Sequence, residues 1–175
     1  MFEEVRSVVA ALERVARDLD PGRLDGPGAA RVLEVFGRGE RVCAAAKALL
    51  ARRVDETKVW REGGYRSAAH WVAEVTGETV GAATRALETA RALDELPATA
   101  DAFRAGQLSE VQAAEITSAA GSDPQSEAAL LATAAETGAS VQNIQQLVGG
   151  QYQVAFSLFD TATDAVNGKG AFTSK

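Results

Sequence analysis

The sequence is poor in the residue types that hold small proteins together through covalent bonds or metal ions. It has one cysteine and one histidine among 175 residues, which excludes an internal disulfide and leaves no cysteine and histidine pairs for a zinc site. Aromatic residues make up only 6% of the chain, and alanine dominates its apolar residues. This composition favours closely packed helices over a β-sandwich, and we expect neither a metal nor a cofactor.

Long apolar runs are missing as well. No hydrophobic stretch of signal-peptide length precedes the charges at Glu3, Glu4 and Arg6, and none reaches the length of a membrane-spanning helix. Hydrophobic residues nevertheless make up 46% of the chain, which is enough for a buried core. We therefore expect a folded, cytoplasmic protein that does not contact a membrane.

Positive charge is scarce and unevenly distributed. The net charge is −6, and residues 105–168 contain no lysine or arginine. Residues 47–66, in contrast, hold six basic residues against three acidic ones. A surface that faces phosphate groups must therefore come from the first two thirds of the chain, and the acidic remainder is expected to face solvent or a partner protein.

Two amphipathic helices are predicted before residue 60. Residues 2–19 keep their large apolar side chains on one broad face, and residues 29–59 form a second, longer helix. Between them, residues 20–28 are rich in proline and glycine and are expected to form a connector. We expect an antiparallel pair whose apolar stripes are buried within the chain, and a homodimer interface is the alternative use of the same stripes.

The central stretch 65–120 has the start and stop signals of four short helices. They are predicted over 67–75, 80–93, 98–105 and 109–120. Ser67 and Thr79 can cap the first two helices, and Gly77 between them can adopt the positive φ of a tight turn. The order of helix, glycine-bearing turn and capped helix is typical of a helix-turn-helix unit.

The end of the chain changes its apolar period. Two more helices are predicted, over 124–137 and 141–148. In QYQVAFSLF the apolar residues then alternate, which indicates a strand. We therefore predict an all-α, multi-helix domain over 1–148, with a long antiparallel helix pair and a helix-turn-helix-like core. A short β segment and a tail follow over 149–175.

The stretch 51–116 resembles the domain of unknown function 222, which includes the thirteen-E-twelve repeat proteins. The shared elements are Trp60, Gly63-Gly64-Tyr65, Ser67-Ala68-Ala69, Trp71, Thr76-Gly77, Leu87, Ala90, Leu93, Leu96-Pro97, Gly106 and Leu108-Ser109. The resemblance implies the helical N-terminal region of an actinobacterial HNH endonuclease-like protein. A local likeness to the helix-turn-helix of ParB-type partition proteins covers LPATADAFRAGQLSEVQAAEI.

The nuclease chemistry of that family does not carry over to this chain. An HNH site needs metal-ligating and general-base histidines, and His70 is the only histidine here. We therefore expect no enzyme activity. His70 is expected to be an ordinary residue of a helix face paired with Glu74, and Cys43 is expected to be a buried, inert thiol.

Double-stranded DNA is the first candidate partner. The candidate contact residues are Arg52, Arg53, Lys58, Arg61, Arg66, Thr79, Thr84 and Arg85. Arg85 can read guanine or bind phosphate from the predicted helix 80–93. Acidic residues outnumber basic ones seven to three over 78–117, however, which opposes DNA binding. The sequence thus leaves two hypotheses, a non-catalytic module that positions DNA weakly, or a protein-interaction or homodimerisation module without DNA contact.

Overall fold

The computed structural model describes residues 1–120 and 126–137, and its regular elements there are all helices. In chain order they are α1 Phe2–Asp18, α2 Gly26–Thr57, α3 Ala68–Thr76, α4 Val80–Ala92, α5 Pro97–Arg104, α6 Glu110–Ala120 and α7 Glu127–Thr137. Single 3₁₀ turns at Pro21–Arg23 and Val59–Arg61 flank α2. The predicted all-α class is confirmed for this part of the chain. The predicted helix over 141–148 and the β segment over 151–159 lie outside the described residues.

The helices of the central stretch begin and end where their local signals predict. The Ser67 hydroxyl accepts the His70 N–H at 3.4 Å, and the Thr79 hydroxyl accepts the Ala82 N–H at 3.1 Å. Between these two caps, Gly77 has a φ of 73° and closes α3. The predicted helices 67–75 and 80–93 are therefore confirmed as α3 and α4 within one or two residues.

The connector before α2 is shorter than predicted. We expected residues 20–28 to lie outside the helix, but α2 already begins at Gly26. Asp25 explains the difference, because its carboxylate accepts the Gly28 N–H at 2.7 Å and satisfies the first turn. Pro27 lies within that turn, where its missing N–H costs no hydrogen bond.

Clustering of contacts divides the chain into unit 1, Met1–Gly37, and unit 2, Arg38–Lys175, with the boundary inside α2. The described part of unit 2 has a dense core in two groups of residues. The first group is Ala45, Ala48, Ala86, Ala90, Leu93, Leu96, Ala100, Phe103, Leu108, Ala113, Ile116, Ala120, Leu130 and Ala134. The second is Ala51, Trp60, Ala68, Ala69, Val72, Ala73, Ala83 and Leu87. Helix α4 supplies residues to both groups and is the centre of the unit.

The buried face of α2 is not the one that its apolar pattern predicts. We expected large side chains such as Leu33, Val35 and Leu50 to be buried, and all three are exposed. The buried residues of α2 are alanines, Ala45, Ala48 and Ala51. Small side chains let two helix backbones approach closely, and Ala45 and Ala48 join the same core group as Ala86 and Ala90 of α4. A pattern weighted by hydrophobicity overlooks such a face, because alanine is only weakly apolar.

Unit 1 contains no buried residue at all. The stripe of α1, expected to be buried within the chain, is exposed along its whole length. None of the described helices combines the length and the apolarity needed to cross a bilayer.

Candidate functional site

The apolar face of α1 is exposed along the whole helix. Its large side chains are between 42% and 75% exposed, and they are Phe2, Val5, Val8, Val9, Leu12, Val15 and Leu19. Glu3, Glu4 and Arg6 lie on the polar side of the helix and hold ion pairs within its first turns. The sequence predicted this stripe correctly but assigned it to the interior of the chain.

Arg52, the first of the predicted DNA contacts, is engaged within unit 2. Its guanidinium donates to the Asp94 carboxylate, to Glu56 at 2.8 Å and to the carbonyl oxygen of Ala90 at 3.2 Å. The hydrogen bonds that Arg52 donates to Asp94 and Glu56 raise its pKa above the usual range. Arg52 therefore connects α2 to the C-terminal end of α4, and the carboxylates of Asp94 and Glu56 compensate its charge.

A second ion-pair network lies one turn further along α2. Asp55 accepts from Lys58 at 3.0 Å and from Arg91 of α4 at 2.5 Å. These hydrogen bonds, that from Arg91 foremost, hold the pKa of Asp55 below its usual range. Arg53 pairs with Glu56 at 3.2 Å. Two more predicted DNA contacts, Arg53 and Lys58, are thus used in ion pairs of α2.

Both predicted threonine contacts serve the backbone of α4. The Thr79 hydroxyl caps the helix, as described above, and the Thr84 hydroxyl donates to the carbonyl oxygen of Val80 at 2.8 Å. The α4 helix therefore begins with satisfied hydroxyl groups that contribute to its own stability.

The remaining three arginines of the predicted set, Arg61, Arg66 and Arg85, are exposed and form no ion pair within the described residues. The Arg61 guanidinium lies 5.2 Å from the centre of the Trp60 ring. Arg85 lines an open cleft of about 370 Å³ between α4 and α6, together with Glu88 and Glu115. Of the six basic residues in the predicted set, three pair with acidic side chains, so the predicted contacts do not form one surface of unpaired basic groups.

The two residues with nucleophilic or acid-base chemistry stand apart. His70 is exposed, and its Nδ1 lies 2.9 Å from the Ser67 hydroxyl. Glu74, the predicted partner of His70, instead accepts a hydrogen bond from the Tyr65 hydroxyl, which raises the pKa of Tyr65. Cys43 is exposed, so the prediction of a buried thiol is wrong. Across residues 1–120 and 126–137, no three histidine, cysteine, aspartate or glutamate side chains are grouped so that they could hold a metal ion.

Fold and surface together define a multi-helix protein with an alanine-rich core in unit 2 and an exposed apolar helix in unit 1. The chain belongs to the family described as a domain of unknown function, DUF222, whose family model matches residues 30–168. Helix α1 precedes the matched region. No match was found among curated proteins or among solved structures.

Proposed function

We propose that this chain is a non-catalytic helical module that binds another protein chain through the apolar face of α1. The observation that carries the proposal is the exposure of seven large apolar side chains on one helix face. With roughly 150–200 Å² of surface on each such side chain, their exposed part amounts to roughly 600 Å². A patch of that size is at the upper end for a monomeric protein and marks an interaction site.

The size of unit 1 supports the same proposal. An isolated helix of 17 residues, the length of α1, is marginally stable in water. Units of fewer than about 40 residues rarely bury enough surface to fold without a disulfide, a metal or a partner. Residues 1–37 contain no cysteine and no buried side chain. A partner chain on the α1 face would supply the burial that this unit lacks.

A photo-crosslinking experiment tests the proposed surface in cells that make the full chain. A photoreactive phenylalanine derivative in place of Val9, at the middle of the stripe, is expected to form a covalent adduct with another protein chain. The same derivative in place of Arg14, on the polar side of α1, is the matched control and should form none. Equal yields from both positions, or no intermolecular adduct from the Val9 position, would contradict the proposal.

The proposed module has no catalytic role of its own and serves as the N-terminal helical part of a longer HNH endonuclease-like protein. The absence of catalysis is inferred from the single histidine, where an HNH nuclease needs several. The longer protein is inferred from the resemblance of residues 51–116 to domain 222 alone. Cleavage of duplex DNA by the purified chain with any divalent metal, retained after a control for contaminating nuclease, would show that this part of the proposal is wrong.

Weak positioning of DNA is the second candidate function. The observation in its favour is the order α3, Gly77 turn, α4, with exposed arginines at Arg66 and Arg85 beside it. The ion pairs of Arg52, Arg53 and Lys58 weigh against it, because counterion release needs basic groups that are available to phosphates.

A titration of a labelled duplex at low salt separates the two candidates. If DNA binds, Arg61→Ala and Arg66→Ala should each reduce the slope of log affinity against log salt by about 1, while Arg85→Ala should alter sequence preference. Arg14→Ala, in unit 1, is the control and should leave the slope unchanged. Absence of binding at low salt would eliminate this second candidate.

A further inference from the structure

The apolar residues of α1 follow a heptad repeat. Alternating steps of three and four residues connect Phe2, Val5, Val9, Leu12 and Ala16, and Leu19, directly after the helix, continues the spacing. Such positions, called a and d, form the seam of a two-helix coiled coil. The spacing of the stripe therefore fits a partner helix that packs along its whole length.

The residues beside this seam differ between its two edges. Val8 and Val15 precede the a positions on one edge, at the positions called g. Arg6 and Glu13 follow the d positions on the other edge, at the positions called e. In the single chain Arg6 pairs with its exposed neighbour Glu3 at 3.3 Å, and its guanidinium lies 6.0 Å from the centre of the Phe2 ring. Exposed contacts of this kind are easily exchanged.

These edges are complementary to a second copy of the same helix in one orientation only. In a parallel pair each e position faces a g position of the other helix, so Arg6 and Glu13 would meet apolar side chains. In an antiparallel pair e faces e and g faces g. Arg6 would then face Glu13 of the partner subunit, twice by symmetry, and Val8 would face the partner's Val15.

We infer that α1 pairs with α1 of a second copy as an antiparallel two-helix coiled coil, with the exposed stripe as its seam. In this register Val9 packs against the partner's Leu12, Val5 against the partner's Ala16 and Phe2 against the partner's Leu19. The inference rests on the proposed function and names its partner, a second copy of this chain. A symmetric pair of this kind has a closed, self-complementary interface.

The available area suits a dimer of moderate affinity. Covering roughly 600 Å² on each copy would bury roughly 1,200 Å² in total, which is the lower end of stable, specific interfaces. Sedimentation of the purified full chain from roughly 1 to 200 µM is therefore expected to show a reversible monomer–dimer equilibrium.

Charge reversal tests the orientation. Arg6→Glu places acidic residues at both e positions, and Glu13→Arg places basic residues at both. Each variant alone should self-associate about tenfold more weakly than wild type, because two attractions become two repulsions. An equimolar mixture of the two variants should recover the wild-type affinity as a heterodimer. Arg14→Glu, on the far side of α1, is the control and should change neither measurement. All three sites are exposed, so none of these changes should disturb folding.

The outcomes distinguish this inference from the proposed function. A dimer that ignores Arg6→Glu and Glu13→Arg, or a mixture without recovery, would overturn the antiparallel register. A chain that stays monomeric while the Val9 crosslinker captures a different protein would overturn the second copy as partner and leave the proposed function intact. A monomer whose Val9 crosslinker reacts only within its own chain would overturn both.

Discussion

Replacement of Gly106 by alanine should be especially costly to stability. Gly106 follows α5 with a φ of 68°, and a Cβ atom there would lie 2.7 Å from Val42 Cγ2 and 3.1 Å from the carbonyl oxygen of Arg38. Its own carbonyl oxygen accepts a hydrogen bond from Arg41 Nε at 2.7 Å, which ties the turn to α2. The position needs glycine for two separate reasons, a left-handed backbone and a close approach between backbones.

The two reasons have separable magnitudes. A left-handed backbone costs a non-glycine residue about 1–2 kcal/mol, and forcing a methyl group into a filled space costs about 1–3 kcal/mol more. Gly106→Ala should therefore lower the free energy of unfolding by about 2–5 kcal/mol, a large part of the roughly 5–15 kcal/mol of a typical domain. Gly77 is the matched control. Its φ is 73°, but no atom lies within 4 Å of its added Cβ, so only the backbone cost of about 1–2 kcal/mol applies.

Urea unfolding followed by circular dichroism measures both variants, and the slopes of the transitions should agree if the native fold is retained. Val42→Ala removes the nearest clashing atom and should recover part of the loss in the Gly106→Ala background. In the wild-type background it should cost little, because Val42 is 40% exposed. If Gly106→Ala costs no more than Gly77→Ala, or if the effects at 42 and 106 simply add, the packing argument is wrong.

Three smaller perturbations follow from single contacts. Thr79→Ala removes the cap of α4 and should cost about 0.5–2 kcal/mol, whereas Thr79→Ser should stay near wild type; equal losses would refute the cap. Glu127→Ala leaves the N–H and hydroxyl of Thr99 without the carboxylate that they bind at 2.7 and 2.8 Å. It should cost about 1–3 kcal/mol, and an unchanged urea midpoint would contradict this. The lowered pKa of Asp55, caused mainly by Arg91, stabilises the fold fully above the ordinary aspartate pKa of about 4 and less as the pH falls through the lower folded value. Asp55→Asn should therefore make the free energy of unfolding fall less steeply as the pH is lowered below about 4. A fall as steep as that of wild type would count against the ion pair.

The boundaries of the central helices were predictable because their signals are local. The cap at Thr79, the turn at Gly77 and the helix start at Ser109 each involve residues three or four positions apart. The structure contains all three, with the Ser109 hydroxyl accepting the Gln112 N–H at 3.2 Å. A short-range hydrogen bond of this kind is determined by residue type and spacing alone, and the tertiary fold does not change it.

The ion pairs of the predicted DNA-contact residues were harder to predict, because they join distant parts of the chain. Arg52 and Asp94 are 42 residues apart, and Asp55 and Arg91 are 36 apart, so no spacing rule connects either pair. Without these partners, the basic residues of 47–66 resemble a phosphate-binding stretch. The same limitation applies to the exposure of Cys43, since the closest packing of α2 uses its alanine face rather than its large apolar residues.

Unit 2 buries a core and unit 1 buries no residue, and this contrast supports the proposal of a partner on α1. In unit 2 most of the buried positions of α2, α3 and α4 are alanine, which suffices there because the helices approach closely. In unit 1 large side chains such as Phe2 and Leu12 remain in solvent, where they gain nothing and favour aggregation. A helix without a partner would be more soluble with polar residues at these positions, and scattered apolar residues would have no reason to keep heptad spacing. The regular spacing from Phe2 to Ala16 is what the proposed contact of α1 with another helix would require.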